Sequence, residues 1–253
     1  MRARLVRRMA LGLGLGLIVL VTALAVLPAR WLMRALPQHW PVAIVDAAGT
    51  VWNGTALVAL GPPGARTTLP QPVRWRAGWA DGVRLQLEHP WLDCTLGLRP
   101  GFTSLGISPC GLRLPAQVLA AVGAPLNTLK PAGQLALRWP GLRLPYGGAA
   151  PAGELLTLDW RQAGSALSMV RPLGDYRAAL TGRDGAAHLS LTTLNGPLQL
   201  RGDGTFTPQG GLRFSGVASP APDASDATVA GLQAMLSAIG RRSGNDTLLQ
   251  IGR

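Results

Sequence analysis

Beyond residue 40, apolar and polar residues alternate almost without interruption. Val73, Trp75 and Ala77 point one way, Arg74 and Arg76 the other. Val83, Leu85 and Leu87 alternate with Arg84, Gln86 and Glu88, and Leu135, Leu137 and Trp139 with Gln134, Ala136 and Arg138. Leu156, Leu158 and Trp160 alternate with Thr157 and Asp159, and Leu198 and Leu200 with Gln199 and Arg201. A period of two marks strands with one buried and one wet face, and such strands pair antiparallel. The stretch "GTVWNGTALVAL" (49–60) predicts a hairpin, because Asn53-Gly54 is a strong two-residue turn signal and supplies positive φ angles. Trp52 beside it is expected to anchor the turn to the apolar face. Trp139 and Trp160 likewise end their strands, ring on the apolar face and N–H at the wet rim.

Two segments break the alternation. "PAQVLAAVG" (115–123) starts with a Pro and ends with Gly123, which predicts a short helix. "SDATVAGLQAMLSAIGRR" (225–242) predicts a second, with Ser225 or Asp226 as N-cap, Val229, Leu232, Leu236 and Ile239 as its apolar stripe, and Gly240 as its stop. "DTLLQIGR" (246–253) then reads as a last strand returning to a sheet.

The amino terminus follows another pattern. Arg2, Arg4, Arg7 and Arg8 precede residues 9–29, which carry no charge. As a helix this run would extend about 30 Å, the thickness of a bilayer's hydrocarbon core. It predicts a transmembrane helix, with Arg30 and Arg34 after it and Trp31 and Trp40 at the far interface. Arg placement puts residues 1–8 in the cytoplasm and 30–253 beyond a cell inner membrane, as a periplasmic domain. A cleaved signal peptide, cut after Ala23-Leu24-Ala25, is the alternative. Gly12 and Gly16 form a GxxxG pair suited to helix packing in the membrane. The fold expected is therefore mainly β: one transmembrane helix, then a large curved antiparallel sheet with two short helices.

Composition sharpens this reading. Gly (33) and Pro (21) exceed a fifth of the 253 residues, as turns between many strands require. The net charge is +12, and all but one of the 24 basic residues are Arg, the exception being Lys130. Such a charge raises the question of nucleic acid. Outside 2–8 and Arg241-Arg242, however, the arginines recur singly along strands and no aromatic-plus-basic motif accompanies them, so they read as solvated outward faces. Cys94 and Cys110, an even pair flanking a Pro100-Gly101 turn, predict a disulfide in an exported domain. Catalytic chemistry is not signalled. His39, His89 and His188 stand apart, no G-x-S-x-G surrounds Ser165, and "RGDGTF" (201–206) offers only Asp203 to a cation. No enzyme activity, metal or cofactor is expected.

"GTVWNGTA" (49–56), "GELLTLDWRQAGSALSMVRPLGDYRAAL" (153–180), "LTTLNGPLQLRGDGTF" (191–206) and "LSAIGRRSGNDTLLQIGR" (236–253) together resemble the type II secretion system protein N family (GspN). The resemblance implies an accessory inner-membrane component of the machinery that exports folded proteins across the outer membrane. It acts by protein–protein contact, with GspC, GspL, GspM and the secretin as neighbours, and it brings no active-site residues. A second reading is a lipid-binding or lipid-bridging protein, similar to AsmA-like proteins, if the sheet curls into an open apolar groove.

Overall fold

A computed structural model describes residues 2–31, 42–62, 64, 66–79, 82–122, 126–207, 210–244 and 246–252; of residues 2–11, 13 and 251 it describes the backbone alone. Arg34, His39, Trp40 and Gly123, used above, lie outside the described residues. The described strands form an eight-stranded and a nine-stranded sheet, and their pairings are antiparallel throughout.

The first sheet contains β1 (Val42–Gly49), β2 (Asn53–Leu60), β3 (Thr67–Thr68), β4 (Val73–Trp79), β5 (Val83–Glu88), β6 (Leu96–Pro100) and β7 (Ser104–Ile107). The second begins with β8 (Cys110–Pro115) and β9 (Ala132–Trp139). β10 (Leu142–Pro145) returns to the first sheet beside β7. β11 (Gly153–Gly164), β12 (Gly174–Arg183), β13 (Ala186–Asn195), β14 (Leu198–Thr207) and β15 (Gly211–Pro220) form a meander, closed by β16 (Arg241–Ser243) and β17 (Asp246–Ile251).

The two sheets meet in one ribbon. Ile107 pairs with Leu142 across β7 and β10, and Cys110 pairs with Trp139 across β8 and β9, on a single uninterrupted register. On that register Pro109 stands opposite Pro140. Proline has no N–H to give a ladder, so the hydrogen bonding lapses there and resumes in step. The apolar residues do not resume on the same side. Leu105, Ile107, Leu142 and Leu144 precede or follow the break at one parity, and Leu112, Leu114, Leu135 and Leu137 at the other. With no residue inserted, a period of two places the two sets on opposite faces.

This change of face corrects the expectation of one large curved sheet. There are two sheets, each open, with β1 and β10 as the edges of the first and β16 and β8 as those of the second. Neither curls into a trough, and the lipid-groove reading falls with it. The apolar face of the second sheet is instead capped. The 3-10 helix Ala116–Val122 packs Ala116, Val118 and Leu119 on Leu114 and Leu135, and α3 (Asp226–Ile239) sets Leu232, Met235 and Leu236 on Leu198 and Ala218. Ser225 caps α3 by accepting from Thr228 N. Gly240 is extended, and glycine is needed there because a Cβ would strike the carbonyl of Leu248 on β17. A one-turn α2 (Leu126–Leu129) precedes β9.

The expected transmembrane helix over 9–29 is also corrected: among the described residues no helix is long and apolar enough to cross a membrane. The single-pass, inner-membrane placement therefore has no spanning element among them. The helix that forms, α1 (Arg2–Ala25), stops at Ala25, and the chain after it is built into the β domain. Val51 N donates to Leu27 O at 2.9 Å, Pro28 bridges Thr50, and Ala29 is fully buried against Ala56 and Trp75.

In the second sheet Phe214 lies flat over Gly202, Gly204 and Gly216. A Cβ on Gly204 would come 3.2 Å from its Cδ2 and one on Gly216 3.0 Å from its Cε1, while one on Gly202 would run into its Cζ. These glycines are a seat for the ring, so Gly202→Ala is expected to destabilise the domain by about 1–3 kcal/mol through overpacking. Thermal melts of the variant and parent check this.

Candidate binding surface

The residues singled out in the sequence fall in several places. Asn53 and Gly54 open β2 instead of forming a two-residue turn, and the positive φ belongs to Gly49 (φ 89), which pairs with Gly54. Gly54 makes room for an indole: a Cβ there would lie 2.6 Å from Cζ2 of Trp75. Trp75, 8% exposed, is the buried aromatic of this corner, and its Nε1 donates to Val51 O at 3.0 Å. Trp52 turns the other way and donates from Nε1 to Leu24 O at 2.7 Å, tying the hairpin to the last turn of α1. Trp139 and Trp160 also give their N–H to carbonyls, those of Ser108 and Ala132. Gly12 and Gly16 lie on α1, where an added Cβ meets nothing within 4 Å.

Cys94 and Cys110 are disulfide-bonded, with Cα atoms 5.7 Å apart. The bridge sits where the sheets meet. Next to it Leu92 bridges Leu112, Asp93 N donates to Gly111 O at 2.9 Å, and Asp93 pairs with Arg113 at 3.1 Å.

No constellation for catalysis appears among the described residues, and no group of three or more His, Cys, Asp or Glu among them could hold a metal. His89 meets Trp91 edge-on, His188 pairs with Thr205 in the ladder, and Ser165 Oγ donates to Leu129 O at 2.6 Å. His89 and Ser165 thus make structural contacts. Asp203 lies between Ser190 and Ser215 on adjacent strands.

Charge is organised differently on the two sheets. On the polar face of the second, Asp159 is 3% exposed and takes both oxygens to Arg177, at 2.6 and 3.1 Å. The hydrogen-bonded Arg177 guanidinium holds this carboxyl below the usual carboxylate range against the upward pull of burial, with Arg138 and Arg161 adding to the effect. Asp159 and Arg177 neutralise each other there.

On the polar face of the first sheet no such pair forms among the described residues. Arg74, Arg76, Arg84, Arg99 and Arg143 share it with Glu88, the one acidic residue on that face of these strands, which stands opposite Arg74. Arg99 pairs with Gly106 and Gly106 with Arg143. Arg84 and Arg99 come directly after the Leu85–Leu98 pair on the same register. The result is a row of arginines across β5, β6, β7 and β10. They line a cavity of about 730 Å³ whose floor includes Gly97, Gly106 and Gly141. Arg84 Nε is buried there without a hydrogen-bond partner.

None of these three glycines is imposed by the backbone. All lack a positive φ, and a Cβ at Gly97, Gly106 or Gly141 would meet nothing nearer than 3.4, 3.4 and 3.6 Å. They contrast with the glycines beneath Phe214 and Trp75. The sequence shows each arginine as an isolated outward residue. Only the pairing of strands far apart in the chain, β7 with β10 above all, brings them together.

The family model described as Type II secretion system (T2SS), protein N matches residues 41–248. No curated protein and no solved structure matches the chain.

Two outcomes are expected. Replacing Cys94 and Cys110 with Ser should lower stability by about 3 kcal/mol, read from denaturant unfolding, because the bridge constrains the unfolded chain. The Asp159 pKa is depressed in the fold, so its stabilisation is complete above the unfolded carboxylate value of about 3.9 and is lost as pH falls through the folded value. Arg177→Gln removes the largest cause of that depression. The acid-unfolding midpoint, followed by circular dichroism, should move to higher pH; an unmoved midpoint would refute the role given to the pair.

Proposed function

The chain belongs to the type II secretion system (T2SS) protein N family and is a non-catalytic accessory protein of that machinery, and from this premise we propose that its β domain works by binding other components of the apparatus. The observation that carries the proposal is the extent of the match. Residues 41–248 run from β1 into β17, so the family's common part is the pair of sheets. The charged first-sheet face gives that domain a surface with which to bind. By analogy with the family, the partners are GspC, GspL, GspM or the secretin. Open sheets with wet faces suit lateral contact with other proteins better than chemistry on a small molecule.

Deleting the gene in frame should empty the culture supernatant of exoproteins and retain them in the cells, with recovery on complementation. An affinity-tagged chain, crosslinked in cells, should carry one of the named subunits with it. Unchanged secretion in the deletion strain would refute the proposal.

A further inference from the structure

We propose that the row formed by Arg84, Arg99 and Arg143 is the docking site of an extended acidic segment of a partner protein. The inference rests on the reading of this domain as a binding component and names the chemistry of one contact.

Like charges on neighbouring strands oppose folding, and Arg84 and Arg99 are such neighbours. Ion pairing relieves one arginine of the second sheet, Arg177 through Asp159, and one at the junction, Arg113 through Asp93. Among the described residues no ion pair is formed by Arg84, Arg99 or Arg143. A guanidinium nitrogen buried without a partner, as Arg84 Nε is, costs free energy until an acceptor arrives. Both features favour a complementary anion.

Geometry selects its form. From β5 to β10 the row crosses three strand spacings, about 14 Å at 4.8 Å each. A single phosphate spans only the Arg84–Arg99 end. Carboxylates on alternate residues of an extended chain recur about every 6.6 Å and cover the whole row. The floor is open along its length because Gly97, Gly106 and Gly141 carry no side chain where the fold would accept one. Nucleic acid is the other extended anion, but the strands of this face present Arg, Gly, Gln, Glu and Ser without an aromatic ring, and the exposed Phe102 of the β6–β7 turn is a single ring where a run of bases stacks on several.

The test uses the full purified chain and a fluorescein-labelled peptide with glutamate at alternate positions, followed by anisotropy. The parent should bind it, and each of Arg84→Gln, Arg99→Gln and Arg143→Gln should weaken binding about tenfold, as for loss of one charge-assisted hydrogen bond. Gly106→Val keeps every charge and should also weaken binding by filling the floor. Arg99→Gln should melt no lower than the parent, since it removes a like-charge neighbour. Binding loss with an intact fold is thus separable from unfolding. Failure of the parent to bind, equal binding by all four variants, or equal competition by inorganic phosphate or a single-stranded oligonucleotide would overturn the proposal. In the deletion strain, full rescue of secretion by the triple Arg→Gln variant would overturn the site while leaving the secretion role standing. No secretion defect on deletion would instead remove the role itself.

Discussion

The side chains of a strand alternate, and a ladder that keeps its register cannot put two runs of opposite parity on one face. That constraint operates where Pro109 faces Pro140, and the rest of the architecture follows from it. The β7–β10 half of the ribbon turns its leucines to one side and the β8–β9 half to the other. A single core beneath one continuous sheet is then excluded. Among the described residues three clusters of buried apolar side chains form, each with its own cover: Ala29 over Trp75, the Ala116–Val122 helix over Leu135, and α3 over Leu198 and Ala218. The disulfide and the Asp93–Arg113 contacts gather at the same junction, where the ladder lacks its proline hydrogen bonds.

Tryptophan joins these small cores to the segments around them. The indoles of Trp52, Trp75, Trp139 and Trp160 each bury ring surface and give their N–H to a carbonyl elsewhere in the chain. A buried N–H without an acceptor is costly, so each bond also fixes the position of the segment that supplies the carbonyl. Through Trp52 that segment is the end of α1, and through Trp139 it is Ser108 at the crossing of the sheets. Thin cores of this kind hold their geometry by directional bonds at their margins as much as by packed volume.

The polar faces divide the labour of charge. On the second sheet Asp159 holds Arg177 in an ion pair. Along the row of Arg84, Arg99 and Arg143 no carboxylate does so among the described residues, and the glycines between them keep the surface open. A face that is costly in isolation gains complementarity toward an acidic partner, which is how a protein without catalytic groups acquires specificity.

Much was legible in the sequence. Alternation identified the strands, and the N-cap and stripe of "SDATVAGLQAMLSAIGRR" gave α3 nearly to its ends, because these depend on residues close together in the chain. Even so, Met235 was missed from the α3 stripe, and Trp52 was taken for the buried indole that Trp75 is. Local pattern tells that a side chain is apolar, but the neighbour that covers it is supplied from elsewhere. The membrane span was inferred from a charge-free run of bilayer length with its flanking arginines and tryptophans, whereas no described helix is long and apolar enough to cross a membrane, and Leu24, Leu27 and Ala29 bond to the β1–β2 turn or pack on β1, β2 and β4. By itself the sequence determined which residues of each strand share a face, since a period of two is local. Which of those faces adjoin, where the apolar side crosses over, and which arginines become neighbours were decided only by the tertiary structure, because strand pairing joins positions that the chain holds far apart.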